Sequence, residues 1–345
     1  MVRRILWGLL ILAPLVLVAR YLLHLGETPL FVLSAIALMP LAWLIGEATE
    51  HAAEHTGPGV GGFLNASFGN APELIIALFA VAGGLPAVVR GSLTGSVVSN
   101  ILLVLGAAMI AGGEGKVDAR SLRWQLAAVF GAVALLLVVA VPSWHGRPER
   151  HSLYLLSIPV SILLLLAYMV ITVRNLRIHR AAERKEPAHG AWSLKKSLLL
   201  LGIATLATAF VSETLVHSLD HFGKAVGLNE FFIAVVIVAI VGNAAEHGGA
   251  VVIARRGKMK LATEIAVSSS AQVGLLVIPV VTLVSFGFAH PLSLAFRPIE
   301  LIAMGAAAAF VGFVIRDGRA RRWEGALLIA VYGGFVIWFL AAGDR

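Results

Sequence analysis

Gly69-Asn70-Ala71-Pro72-Glu73 sets a carboxylate inside an apolar stretch, and the pattern returns as Gly242-Asn243-Ala244-Ala245-Glu246. Asparagine and glutamate recur at one offset, 173 (243 − 70 and 246 − 73). An acidic side chain within a membrane span costs several kcal/mol to bury, so such residues mark functional sites. Two of them in matching contexts, one in each half of the chain, point to a cation site between internal repeats.

The composition around these motifs is that of a polytopic membrane protein. Of 345 residues, 59% are hydrophobic and only 13% charged, against about 25% charged in soluble domains. The chain has no cysteine, which excludes disulfides, thiolate metal sites and a cysteine nucleophile. The net charge of +8 does not argue for nucleic acid, because the basic residues lie between apolar runs and form no stripe.

A spanning helix needs about 20 apolar residues. On that measure eleven spans are expected, near 5–24, 29–54, 63–83, 88–111, 122–141, 152–173, 195–217, 228–254, 260–286, 297–315 and 323–341. The first follows Arg3 and Arg4 and resembles a signal peptide, but its length and the missing small-x-small cleavage site favour a retained helix. With the N-terminus in the cytoplasm, 20 of the 27 Lys and Arg residues fall on inside segments, as the positive-inside rule requires. The fold class expected is therefore all-α and polytopic. It comprises an N-terminal helix (1–28), a first repeat (29–173), a polar cytoplasmic linker (174–194) and a second repeat (195–345). The linker holds Arg180-Ala-Ala-Glu-Arg-Lys-Glu186, then Pro187 and Gly190. Five spans per repeat is an odd number, so the repeats are inverted about the membrane plane.

The order of polar elements is also repeated. Glu50 and Glu213 precede the two motifs, Ser96 maps on Ser269, and Ser99 maps on Gln272 at the same offset. A hard cation such as Ca2+ takes six to eight oxygens. Glu73 and Glu246 supply charge; Asn70, Asn243, Ser99 and Gln272 supply neutral oxygens or orient the carboxylates. Two neighbouring carboxylates do not readily stay ionised together without a cation, which couples protons to cations. Glu50, Glu213, His51 and His247 are expected along the proton or access pathway. Glu50-His51-Ala-Ala-Glu54-His55 leaves three readings open: a proton relay or vestibule, water-facing charge, or a Zn2+ or Mn2+ site. No His-Glu-x-x-His is present, and an inverted repeat has no role in metalloprotease chemistry. Gly57-Pro-Gly-Val-Gly-Gly62 lacks the Lys-Ser/Thr ending of a phosphate loop and reads as a flexible turn.

With Gly-Asn-x-x-Glu in both halves, Ala48-Thr49-Glu50, Ser212-Glu213, Ser96/Ser99 and Ser269/Gln272, the sequence resembles the cation/proton exchanger branch of the calcium/cation antiporter superfamily. The resemblance covers nearly the whole chain. It implies a secondary transporter, not an enzyme, that exports Ca2+ in exchange for H+. Glu73 and Glu246 would alternate between cation and protons, while the first and sixth helices slide over the core. It implies an integral protein of a bacterial cytoplasmic (inner) membrane, with no cofactor, Ca2+ and H+ as substrates, no nucleic-acid partner and room for a homo-oligomer. Na+, K+ or Mn2+ in place of Ca2+ is the alternative reading. The chain departs from many members in a net basic segment between the halves and in Ala245, where the first motif has Pro72.

Overall fold

In hydrocarbon the backbone has no water to bond, so apolar runs close their own hydrogen bonds as helices. The computed structural model describes residues 2–145, 150–179 and 192–343, except for the side chains at 2, 57–60, 62–63, 65–66 and 175–179. The first half comprises α1 (Val2–Leu9), α2 (Leu12–Tyr21), α3 (Glu27–Phe68), α4 (Ala71–Ala82), α5 (Pro86–Ser99), α6 (Leu105–Gly112), α7 (Ala119–Ser143) and α8 (His151–His179). The second comprises α9 (Leu194–Val226), α10 (Glu230–Phe232), α11 (Ala239–Gly242), α12 (Ala244–Arg255), α13 (Met259–Gln272), α14 (Ile278–Ser285), α15 (Pro298–Val314) and α16 (Arg322–Ala342). Two short strands, β1 (Gly115–Lys116) and β2 (Arg319–Ala320), pair antiparallel.

The expected count of eleven spans is not reproduced. Among the described residues nine helices are long and apolar enough to span alone. A tenth span is the pair Glu230–Gly242 and Ala244–Arg255, bent by 54°. The span expected over 63–83 is divided between the end of α3 and the shorter apolar helix Ala71–Ala82. The run Gly57–Gly62, expected as a turn, has helical backbone. The chain nevertheless bends there. A Cβ built on Gly61 would lie 2.7 Å from the Ala53 carbonyl oxygen, whereas eight residues of straight helix separate two atoms by about 12 Å. α8 continues through Arg174 to His179, into the polar segment expected over 174–194. Residues 180–191, which carry Arg180–Glu186, Pro187 and Gly190, lie outside the described residues.

The inverted repeat is visible in the backbone. Both motif asparagines leave helical geometry, Asn70 at φ −101°, ψ 20° and Asn243 at φ −87°, ψ 10°. A π-helical turn at Asn100–Val104 is matched by one at Val273–Val277, at the same offset of 173. A third covers Ile233–Val238. Single π turns inside α-helices are frequent at functional sites.

The two central spans are buried by protein and the outer ones face their surroundings: 83% of the window in Pro86–Gly112 is buried, against 22% in α8 and 17% in Arg3–Tyr21. Small residues let the central helices approach. A Cβ on Gly106 would lie 2.7 Å from the Gly325 carbonyl oxygen, and one on Gly325 would lie 2.6 Å from that of Gly106, a contact of the small-residue type that lets membrane helices close. α3 and α9 lie antiparallel. Phe31 stacks on Phe222 at 4.2 Å near one end, and His55 Nε2 lies 2.6 Å from the Trp192 carbonyl oxygen at the other.

Contacts respect the two-sided sorting of basic residues. On one side Lys116 pairs with Arg319 in the strand ladder. There Lys260 Nζ lies 2.9 Å from Asp118, and Arg123 donates to the Arg316 carbonyl at 2.8 Å. The Ser121 N–H, bonded to Asp118 in its N-cap position, and then Lys260 hold the Asp118 carboxyl below the usual aspartate range. On the other side Arg20 meets Glu213, and Arg297 donates to the Gly343 carbonyl.

Candidate cation site

Each motif breaks its span at the asparagine and opens a new helix, so Glu73 and Glu246 stand in the first turns of α4 and α12. That end of a helix carries unpaired N–H groups and a partial positive charge, which favours a carboxylate. Pro72 costs nothing at this position, because its missing N–H would be unpaired in any case. The second motif reaches the same break with Ala245. The two half-helices meet across the repeats. A Cβ on Gly242 would lie 3.4 Å from Glu73 Cγ, so the Glu73 side chain lies against the backbone of the opposite motif. Glu246 is near enough for its charge to act on Glu73.

A hydrogen-bonded lattice holds the pair. Asn100 Nδ2 faces three acceptors: Asn243 Oδ1 at 2.8 Å, Ser269 Oγ at 2.9 Å and Glu246 Oε2 at 3.3 Å. Asn243 Nδ2 donates to Ser96 Oγ at 2.8 Å and to the Ala239 carbonyl at 2.7 Å. Asn70 Nδ2 donates to Gln272 Oε1 at 2.7 Å, and Ser269 Oγ stands 3.5 Å from Asn70 Oδ1. Nearly every link joins one repeat to the other, so neither half forms the site alone.

Three oxygens in this lattice have no donor. Both carboxylate oxygens of Glu73 are buried without a hydrogen-bond partner, and so is Asn100 Oδ1. Buried polar atoms are paired in the large majority of cases, and each exception needs a physical reason. Acceptor-only oxygens buried beside a second carboxylate suit a hard cation, which would supply the compensating positive charge. The surroundings of the two glutamates differ: Glu73 is 5% exposed, whereas Glu246 is partly accessible.

Of the residues expected at this site, Glu73, Glu246, Asn70, Asn243 and Gln272 are brought together. Ser99 is not part of the lattice; it is buried, and its hydroxyl donates to the Ser96 carbonyl at 3.4 Å. Its neighbours Ser96 and Asn100, one helical turn apart, present the polar face in its place, and Ser99 is rotated off that face. Ser96 and Ser269 carried a signal in their matched offset. Asn100 carried none from the repeat, since Val273 stands in the corresponding place.

The expected pathway residues lie apart from the lattice, His247 excepted. His247 is partly buried next to Glu246, with its Nε2 unpartnered. Glu213 pairs with Arg20 on α2 at 3.2 Å. Glu50 is exposed on α3. His51 lies 3.8 Å from both Glu47 and Glu54 and stacks on Trp192 at 4.6 Å. The reading of this helix face as a Zn2+ or Mn2+ site is not supported: among the described residues no three His, Asp or Glu are placed to hold a metal. His55 turns to the Trp192 carbonyl instead.

A family model described as "Sodium/calcium exchanger protein" matches residues 27–177 and 196–341. The chain is 38% identical to the Ca(2+)/H(+) antiporter ChaA of Bacillus subtilis (strain 168), over 90% of this chain and 92% of that one. It is 34% identical to a Ca(2+)/H(+) antiporter of Aphanothece halophytica, over 95% and 94% of the two chains. The solved structure of native YfkE superposes with a TM-score of 0.85 at 34% identity, covering 97% of this chain and 99% of that one.

Proposed function

Because this chain belongs to the sodium/calcium exchanger protein family, we propose that it is a secondary antiporter that exports Ca2+ in exchange for H+. The observation that carries this reading is the pair of donorless, buried Glu73 oxygens set against Gly242 and within electrostatic reach of Glu246. With Ca2+ bound, the two carboxylates supply matching charge, and the Asn100 and Asn70 amides and the Ser269 hydroxyl supply neutral oxygens or fix their orientation. Without the cation, like charges at this separation resist joint ionisation, and protons take its place. Cation and protons then exclude one another at one site, which is the condition for exchange. A divalent ion is favoured over Na+ or K+ because two carboxylates balance its charge.

Alternating access follows from the architecture. The site is assembled from both repeats, while the first and sixth spans, Arg3–Tyr21 and His151–Arg174, are among the least buried at 17% and 22%, and Arg20 of α2 bonds Glu213 and Thr214 of α9. Sliding of the first and sixth spans, α2 and α8, over α3, α4, α9, α12 and α13 exposes the site to one side at a time. In this reading residues 1–28 are the N-terminal helix, 29–173 and 195–345 the two half-sites, and 174–194 the cytoplasmic connection. The protein lies in a bacterial cytoplasmic membrane with its N-terminus inside, needs no cofactor, and turns over by transport rather than by an enzymatic step.

The test is Ca2+-dependent collapse of a pH gradient in everted vesicles carrying the full chain, run beside Na+, K+ and Mn2+. Collapse by Ca2+ at low concentration supports the reading. Collapse by Na+ or K+ alone assigns the same machine to monovalent exchange, and cation flux without proton movement would make it a channel.

A further inference from the structure

The inverted repeat makes α13 and α5 counterparts, and at three positions on one face they differ in chemistry and in surroundings. Glu264, Ser268 and Gln272 correspond, at the offset of 173, to Gly91, Gly95 and Ser99. The first-repeat face is sealed. A Cβ on Gly91 would lie 3.1 Å from Phe231 Cδ2 and 3.2 Å from Ala234 Cβ; one on Gly95 would overlap the Val235 carbonyl and lie 2.7 Å from Ala239 Cβ. All three first-repeat residues are buried.

The second-repeat face is open. Lys260 is exposed, and Glu264, Ser268 and Gln272, each one turn further along, are all partly accessible. From Lys260 to Gln272 is about 18 Å of helix rise, a little over half of a hydrocarbon core roughly 30 Å thick. A partly accessible carboxylate, hydroxyl and amide in succession at that depth belong on water, not on lipid. The stripe ends at the site, because Gln272 Oε1 accepts from Asn70 Nδ2 at 2.7 Å. The same half is roomy elsewhere. A Cβ on Gly248 or Gly249 would meet nothing within 4 Å, and Glu246 is partly accessible beside them. At the mouth, Lys260 binds Asp118 at 2.9 Å and lies within electrostatic reach of Glu264.

We propose that Glu264, Ser268 and Gln272 form a one-sided polar path for the divalent cation between the Lys260 end of α13 and the Glu73–Glu246 site, with Glu264 as its outer carboxylate. Glu264 raises the local cation concentration and hands the ion inward, Ser268 supplies a hydroxyl along the way, and Gln272 passes it to the Asn70 amide and the carboxylate pair. The matching face of α5 is closed in this conformation, with Gly91 and Gly95 packed against Phe231 and Ala239, and its two glycines and serine carry no carboxylate whichever way the site opens. The two membrane faces therefore differ in how they recruit the ion, although one site serves both. This rests on the exchange reading above.

The experiment uses the full chain in proteoliposomes sorted by orientation, with Ca2+ supplied to either face under a fixed pH gradient. Glu264→Gln raises the apparent KM for Ca2+ by about tenfold from the Lys260 face, with kcat unchanged and KM from the other face unchanged. The shift shrinks as ionic strength rises, since salt screens a recruiting charge, and Glu264→Asp restores the low KM. In the naturally cysteine-free chain, Ser268→Cys reacts with a membrane-impermeant thiol reagent from the Lys260 face only, and Ca2+ slows the reaction. An unchanged KM, an equal shift from both faces, a salt-independent shift or an unreactive Ser268→Cys overturns the proposal. Absence of exchange in the wild-type chain would instead overturn the functional reading, and the Ser268→Cys accessibility result stands apart from it.

Discussion

Asn100 holds the lattice together and Glu73 gives it charge, and their substitutions should separate those roles. Glu73→Gln and Glu246→Gln keep size and polarity but remove the charge a divalent ion needs. We expect each to drop Ca2+/H+ exchange to background while thermal unfolding in detergent and the gel-filtration profile stay as in the wild type; full exchange in either variant would falsify the site assignment. Asn100→Ala has a different signature. It leaves Asn243 Oδ1, Ser269 Oγ and Glu246 Oε2 without their shared donor, and a buried group deprived of its partner costs about 1–3 kcal/mol. A lowered unfolding temperature together with weakened Ca2+ affinity is the expected pair of results, measured by scanning fluorimetry and by transport. The glutamates were legible in the sequence because a carboxylate in an apolar run is costly and the cost is incurred twice at a fixed offset. Asn100 was not, because an amide beside Ser99 reads as an ordinary polar residue until the second repeat is folded against it.

Helix ends and helix contacts carry the next level. The broken spans at Asn70 and Asn243 let two glutamates enter the site from helix N-termini, and the matched π turns after Ser99 and Gln272 re-aim the helices that flank them. Periodicity of apolar residues does not register such breaks, since a bent helix is as hydrophobic as a straight one. For that reason the expected span over 63–83 gives no sign of its division between the end of α3 and Ala71–Ala82. Gly95 makes the element-scale contact testable. Its Cβ position is already filled by the Val235 carbonyl and Ala239, so Gly95→Ala must push α5 from the Ile233–Val238 turn and α11. Overpacking of this kind costs about 1–3 kcal/mol, seen as a lower unfolding temperature. Gly131→Ala, where a Cβ meets nothing within 4 Å, should leave that temperature unchanged.

At the scale of the molecule, contacts join same-side residues, and two clusters tie the first span to its neighbours. On one side Trp192 is gripped by Trp7 at 6.0 Å, by His51 at 4.6 Å, and by the cations of Arg3 and Lys196 at 5.8 and 4.9 Å. On the other, Arg20 of α2 holds Glu213 and Thr214 of α9. The Glu213 carboxylate is 41% exposed, and an ion pair so placed contributes little to stability. In the proposed cycle it links the sliding α2 to α9. Glu213→Gln should therefore slow exchange partially, with little change in unfolding temperature, and Arg20→Gln should slow it to the same extent. Glu50→Gln, exposed on α3, should also give partial loss, through the access pathway and independently of Arg20. Turnover of these variants in everted vesicles, singly and combined, checks this: Glu213 and Arg20 should not add, whereas Glu50 should.

The sequence by itself determined a membrane protein of inverted repeats and singled out the two glutamates with their asparagines. These properties follow from what each residue costs in lipid, and that cost is local. Only the tertiary structure decided that Ser96, Asn100 and Ser269 join the lattice while Ser99 does not. It also decided that Glu213 pairs with α2, that His51 and His55 contact Trp192, and that α13 is open where α5 is sealed. These depend on which side of a helix meets the other repeat. A contact across 143 residues, such as Asn100 to Asn243, is set by packing of the whole bundle and leaves no trace in the spacing of either helix.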